Sequence, residues 1–403
     1  MSRLTVRPAL AALALSGALL GTGCGRGAAS DTNSGGPSAP ALGGPKDGKA
    51  EVPVDLGFPA FATKNTTRVA ASDPVAVAAG VARSVYPGLT PETRPDAVVL
   101  VDRRDWRTAL AASALMSDPI RAPLLFSDGD KDLPEASQKA LEALDPKGSK
   151  AAGGAEVVRI GNVPRPGGRK TTDVAGTDPF ALAQALDAFQ AAAAGKTSDR
   201  VLVVSADEPA FAAPAAAYAA KSGDPILFAR KNTLPPATRA ALKTHQQPKI
   251  YVVGPTKTIG TKVTAQLRKL GSVKRVGGAD PVRNAIAFAT FSETDFGWGV
   301  VDPGHGLVFS RDDAAPATAA AAAPLSASGT YGPLLLVGDG ETVDTPLATY
   351  LRGIQPGYRT DPVRGVYNHG WLVGDARAIT PALQARLDTL LEIMAETTPA
   401  KPS

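Results

Sequence analysis

TRVAASDP at 67–74, TDVAGTDP at 172–179 and KRVGGADP at 274–281 are three versions of one segment. Each is a short strand pattern that runs into an Asp-Pro pair, at Asp73, Asp178 and Asp280. The pair recurs at intervals of roughly one hundred residues, the period of a tandem structural unit. Aspartate followed by proline is helix-start chemistry. The carboxylate can cap the free N–H groups, and proline fits the first helical position, whose N–H has no intrahelical partner. The predicted helices are PVAVAAGVARSVY, PFALAQALDAFQAAAA and PVRNAIAFATF.

Working outward, every copy continues in the same order. A short apolar run follows the helix: AVVLV (97–101), RVLVV (200–204) and GLVFS (306–310). These runs read as parallel strands covered on both faces. Polar turns come next, DRRDW (102–106), SADEP (205–209) and RDDAAP (311–316), each leading into an alanine-rich helix. The third strands are APLLFS (122–127), DPILFA (224–229) and GPLLLVG (332–338), with Pro123, Pro225 and Pro333 at matching places. Helix starts at Leu133-Pro134, Leu234-Pro235 and Thr345-Pro346 precede closing strands EVVRIG (156–161), KIYVVG (249–254) and GWLVG (370–374). This alternation implies parallel strands joined by right-handed crossover helices. The expected architecture is three tandem Rossmann-like α/β repeats, at 63–171, 172–273 and 274–395, with pseudo-threefold packing. Residues 396–403 are expected to be a C-terminal tail.

Composition narrows the function. Of the 403 residues 44% are apolar but only 5% aromatic, so cores are built from Ala, Val and Leu and little is left for stacking on bases or sugars. The formal charge of +5 is spread along the chain without a basic block, which argues against nucleic acid as a partner. A lone cysteine forbids a disulfide framework and thiolate zinc sites. His245, His305 and His369 stand far apart in sequence, without metal-ligand spacing. No metal and no cofactor is expected.

The start of the chain reads as an export signal. Arg3 and Arg7 precede the apolar run ALAALALSGALL (9–20), too short for a comfortable membrane span. Leu19-Leu20-Gly21-Thr22-Gly23-Cys24 resembles a bacterial lipobox, with Gly21 where leucine is usual. Residues 1–23 are expected to be removed and Cys24 lipidated. The Gly-, Ser- and Pro-rich segment from 25 to 50 lacks the apolar side chains needed to offset ordering entropy, so 24–62 is expected to be a tether. The lipid would then be the only membrane contact, holding the protein at the outer face of the cytoplasmic membrane.

The repeat resembles the cell wall-binding repeat 2 family of Gram-positive surface proteins, whose members usually carry three tandem copies. KRVGGAD (274–280), TALAA (108–112), DPILF (224–228) and IYVVG (250–254) carry the likeness, which covers about residues 67–395. The family's Asp-Arg becomes Asp-Pro at Pro74, Pro179 and Pro281. The aspartate of its Asp-Ala-Leu helix start is Thr108 or Phe211, and its second glycine is Asn162 or Pro255. The resemblance implies non-covalent attachment to an anionic cell-wall glycopolymer or a peptidoglycan-associated polymer.

Ligands of parallel α/β units bind beyond the carboxyl ends of the strands. That position singles out Asp105, Trp106, Asp207, Asp312 and Asp313 as ligand-binding candidates, with Asp73, Asp178 and Asp280 as capping positions. Catalytic motifs are absent from the sequence. Gly254-Pro-Thr-Lys-Thr-Ile-Gly260-Thr261-Lys262 has the wrong spacing for a P-loop, and Pro255 removes a donor that such a loop needs. His369 precedes a strand and reads as structural. The reading is a non-catalytic envelope lipoprotein. A solute-binding lipoprotein of a transporter is the first rival, and it expects two lobes. An envelope hydrolase is the second, and it needs a convergent acid–base set.

Overall fold

The computed structural model describes residues 59–71, 73–328 and 332–396. The signal segment, Cys24 and most of the proposed tether lie outside the described residues.

Three parallel four-stranded sheets form the body. The first is ordered Leu124–Ser127, Val98–Asp102, Val157–Ile160, Thr171–Val174. The second is Ile226–Ala229, Arg200–Ser205, Lys249–Val253, Ser272–Val276. The third is Leu334–Val337, Gly306–Arg311, His369–Val373, Thr66–Val69, with Pro59–Ala62 added antiparallel at the edge. The central strands are buried, as continuous β-branched runs require when helices cover both faces.

Sheet order holds a feature that the one-dimensional repeat does not show. Each sheet takes its fourth strand from the segment that opens the next copy. Thr171–Val174 completes the first sheet and Ser272–Val276 the second. The third is completed by Thr66–Val69, from the start of the chain, so the three units close head to tail in a ring. Side chains of the last helix, Pro381–Leu391, hold this closure: Gln384 donates to Thr66 Oγ1 at 3.0 Å, and Asn65 N–H donates to Asp388 at 2.7 Å. Buried Arg68 donates to Gln384 Oε1 and to the carbonyls of Gly374 and Asp375. Arg275 in the second sheet makes the matching bonds to Gly254 and Ile259. These arginines satisfy backbone carbonyls in the loop that leaves the neighbouring strand.

The repeat markers occupy equivalent positions. Val99, Leu202 and Val308 donate their N–H groups to the carbonyls of Pro123, Pro225 and Pro333, at 2.9, 2.9 and 3.0 Å. Asp73, Asp178 and Asp280 all cap helices whose first residue is proline: Pro74–Val85, Pro179–Ala194 and Pro281–Thr290.

The pseudo-threefold core is made of the alanine-rich helices. Trp106–Ala112 with the following turn Ser113–Met116, Pro214–Ser222 and Thr318–Ala327 touch one another pairwise. Their buried faces are almost entirely methyl groups, among them Ala111, Ala216 and Ala320, so the backbones approach closely. Around them each capped helix bridges two copies. Pro74–Val85 packs on Thr318–Ala327, Pro179–Ala194 on Trp106–Ala112, and Pro281–Thr290 on the short helix Pro209–Ala212. Each also packs on the third helix of its own copy: Glu135–Leu144, Pro236–Thr244 or Thr345–Gly353.

Candidate functional site

The loops that follow the second strands sit at the carboxyl ends of three separate sheets. Each faces the capped helix start of the next copy, because that helix follows the sheet's fourth strand. At the third sheet an inter-copy cleft results. In the third sheet the cleft has a volume of about 220 Å³ and is lined by Asp73, Val77, Arg311, Asp313, Thr318 and Gly374. Asp73 of the first copy and Asp313 of the third thus share one wall, although they stand at opposite ends of the chain.

An arginine neutralises a carboxylate at every one of these loops. Arg311 forks onto Asp313, with Nε at 2.6 Å from Oδ1, and also donates to the Asp339 carbonyl at 2.7 Å. Arg104 forks onto Asp102, with Nη2 at 2.6 Å. Arg230 pairs with Asp207. Burial alone would raise the Asp102 carboxyl, but the Arg104 guanidinium and backbone N–H groups hold it below its ordinary value. Half-buried Asp312 goes the other way, raised by burial first and then by the charges of Asp313 and Asp344. A guanidinium held by one carboxylate keeps outward N–H groups for an anion such as phosphate, and the carboxylate oxygens can accept sugar hydroxyls.

The arginines are what the sequence reading missed. Arg104 and Arg311 adjoin the aspartates in sequence, so a check of local charge pairs would have found them. Arg230 lies on the loop after the third strand, and only the fold brings it to Asp207.

The aspartate candidates divide by role. Asp105 caps Trp106–Ala112, accepting from Thr108 N–H at 3.1 Å and from the Thr108 hydroxyl. Trp106 is half-buried in the seam between the first and second copies, edge-on to Phe228 with ring centroids 6.1 Å apart. Arg107 lies over the Trp106 ring and donates to the Ala206 carbonyl of the second copy at 2.7 Å. Asp207 and Asp313 are exposed at the cleft mouths. Asp73 accepts from Val75 and Ala76 N–H at 2.9 and 3.3 Å, and Asp178 from Phe180 and Ala181 at 2.8 and 2.9 Å. Asp280 accepts from Arg283 N–H at 2.8 Å and also pairs with the Arg283 guanidinium.

The histidines are scattered. His369 accepts or donates to Thr67 Oγ1 at 3.0 Å, and burial lowers its pKa. His305 pairs with Asp302 at 3.0 Å. Among the described residues no group of three His, Cys, Asp or Glu is placed to hold a metal ion. No described helix is long and apolar enough to cross a membrane. Gly254 to Gly260 is a strand-to-helix loop fixed by Arg275, with the Gly260 N–H donating to the Lys231 carbonyl at 2.8 Å.

Fold and site together define a class: a ring of three α/β units with an arginine–aspartate pair at each sheet's carboxyl end. Residues 174–264, spanning most of the second copy, match the family model described as cell wall binding domain 2, so this segment is a repeat of that family. A stretch of 226 residues, 55% of this chain, is 28% identical to N-acetylmuramoyl-L-alanine amidase LytC of Bacillus subtilis (strain 168), covering 42% of that protein. Cwp6 from Clostridium difficile is similar in structure, with a TM-score of 0.60 at 18% identity over 81% of this chain and 48% of that one. Cwp8 from Clostridium difficile gives 0.61 at 17%, over 81% and 52%. The likenesses to the two solved structures establish the α/β repeat fold. The chain spans about half the length of these proteins or less.

Proposed function

We propose that this chain is a non-catalytic cell-surface protein that holds an anionic cell-wall glycopolymer in its inter-copy clefts. The observation that carries the reading is the arginine–aspartate pair at the carboxyl end of all three sheets, in a fold whose second unit is a cell wall binding domain 2 repeat. A repeating polymer meets three similar weak sites, and linked sites gain in effective concentration what each lacks in affinity. Lipidation of Cys24, with the tether behind it, would keep the clefts at the outer face of the membrane.

The test is co-sedimentation of the full chain with purified cell wall, before and after extraction of its anionic polymers. Arg104→Gln, Arg230→Gln and Arg311→Gln should each weaken binding by about tenfold, the worth of one charge-assisted hydrogen bond, and together abolish it. Wall stripped of anionic polymer should not pull the chain down. Undiminished binding by the triple variant, with folding intact, would move the ligand away from these clefts.

A further inference from the structure

The three sheet ends share an arginine–aspartate pair but not a charge. The loops that leave the second and third strands of each copy can be compared directly. At the third sheet they carry Asp312, Asp313, Asp339, Glu341 and Asp344 against Arg311 alone, and the helix start facing them adds Asp73. At the first sheet they carry Asp102, Asp105, Asp128, Asp130 and Asp132 against Arg103, Arg104 and Lys131. At the second sheet they balance, Asp207 and Glu208 against Arg230 and Lys231. Two more cations reach this second end. Arg107 lies over the Trp106 ring, 4.6 Å from its centroid, and donates Nε to the Ala206 carbonyl, so both terminal nitrogens are left without a hydrogen bond. Lys257, on the loop after the closing strand, lies 4.9 Å over the Phe211 ring. The Gly260 N–H donates to the Lys231 carbonyl at 2.8 Å, which ties that loop to the one bearing Arg230 and Lys231. The facing helix start is balanced in itself, Asp280 with Arg283. With that pair and Asp105 beside Arg107 both counted, cations still outnumber carboxylates at this end, five to four.

Pairing sharpens the difference. Lys231 and Lys257 are exposed and form no ion pair among the described residues, whereas Asp207 and Asp280 are each committed to an arginine. An aromatic face holds a cation without using its N–H groups, so Arg107, Lys257 and Arg230, which stands 5.4 Å over Phe180, keep donors for a ligand. A charged polymer that meets three ends is therefore attracted at one and repelled at two. The acid-rich ends still suit a carbohydrate, because carboxylate oxygens accept hydrogen bonds from hydroxyl groups. We propose, resting on the polymer-binding reading above, that the second sheet's end holds the phosphate or carboxylate groups of the polymer through Arg107, Arg230, Lys231 and Lys257. The first and third ends meet its neutral hydroxyls. The three sites are alike in build and different in task.

The test is co-sedimentation of the full chain with purified wall that retains its anionic polymers, from about 0.01 to 1 M salt, where the screening length falls from roughly 30 to 3 Å. The Lys231→Gln/Lys257→Gln variant should bind about tenfold more weakly than the parent at low salt, the worth of two exposed ion pairs, and should show a flatter salt dependence. Lys131→Gln, which removes an exposed cation from the first sheet's end, should change binding by less than about twofold. All three lysines are exposed, so their loss leaves the core intact. Short-chain inorganic polyphosphate, titrated by calorimetry, separates charge from sugar. It should bind the parent and the Lys131→Gln variant alike, and the double variant about tenfold more weakly. A double variant that sediments and titrates like the parent, while the Arg104→Gln/Arg230→Gln/Arg311→Gln variant fails to sediment, would overturn this assignment and leave the binding reading standing. A loss in Lys131→Gln as large as in the double variant would overturn it too, by placing the anion at the first sheet. If the arginine variant also sediments like the parent, the binding reading falls, and this inference with it.

Discussion

The same helix seam is built in two ways within this one molecule. In the first copy the capped helix carries Ala82 and the third helix ends on Leu144, both fully buried. In the third copy the corresponding residues are Ala289 and Ile354, buried likewise. In the second copy they are Asp187 and His245, each 6% exposed, with Nε2 at 2.8 Å from the carboxylate. The second ring nitrogen, Nδ1, faces the Ser198 carbonyl at 2.7 Å. Both nitrogens face acceptors, an arrangement that a doubly protonated imidazolium satisfies completely. Burying two charges costs several kcal/mol, and their attraction offsets this only when every donor is used. The apolar copies show that a seam of this geometry is stable without the charges. Stability alone therefore does not account for the pair.

The sharpest way to break this comparison is to remove one partner. His245→Leu should leave a buried unpaired carboxylate and lower unfolding free energy by about 3–5 kcal/mol in denaturant titrations. Adding Asp187→Ala recreates the seam of the first copy. The double variant should recover the loss, and could exceed the parent by about 1–4 kcal/mol. A double variant no better than the single would mean that the second copy has lost the shape that apolar residues need.

A smaller effect follows from titration. Burial alone would lower the pKa of His245, but the hydrogen bond and charge of Asp187, the Ser198 carbonyl and the charge of Asp199 outweigh it and hold the value above that of an ordinary histidine. A raised folded-state pKa means that protonation stabilises the fold. This contribution is fully present below the unfolded value and fades as pH rises through the folded one. Thermal midpoints of the parent should therefore fall from weakly acidic to alkaline pH, and those of the Asp187→Ala/His245→Leu variant should fall less. Parallel pH profiles would assign the dependence to other groups.

What the sequence made legible, and what it hid, follows from how far apart the partners are. Asp-Pro helix starts and β-branched strands are local signals, and the structure places them where the pattern put them. Capping by Asp73, Asp178 and Asp280 is equally local, since donor and acceptor lie within three residues. Strand exchange is not. Nothing in TRVAASDP says that Thr66–Val69 joins a sheet made by the far end of the chain, because a parallel strand is recruited by an open edge rather than by its neighbours in sequence. The strand-end loops singled out in the sequence carry charged pairs, yet their arginines went unread where the pairing depends on tertiary contact, as for Arg230 and Asp207. Asp187 and His245 could have been noticed by aligning the copies, as two polar residues at apolar repeat positions; the contact between them could not.

The smallest effect tests how far the ring behaves as one body. Replacing a capping aspartate by alanine typically costs about 1 kcal/mol. Asp73→Ala and Asp178→Ala each remove an acceptor for two N–H groups. Asp280→Ala removes one N–H bond and an exposed ion pair to Arg283, a pair of a kind worth at most about 1 kcal/mol. The three losses should be similar, between about 0.5 and 2 kcal/mol each. Each sheet borrows a strand from the next copy and the alanine helices share one core, so no copy has a complete sheet of its own. The three caps share no partner, and their costs should therefore add within one cooperative transition. Denaturant curves of the triple variant, followed by far-ultraviolet circular dichroism and by tryptophan fluorescence, should coincide and shift by the sum of the singles. Separate transitions, with one copy melting ahead of the others, would mean that strand exchange joins the units without making them cooperative.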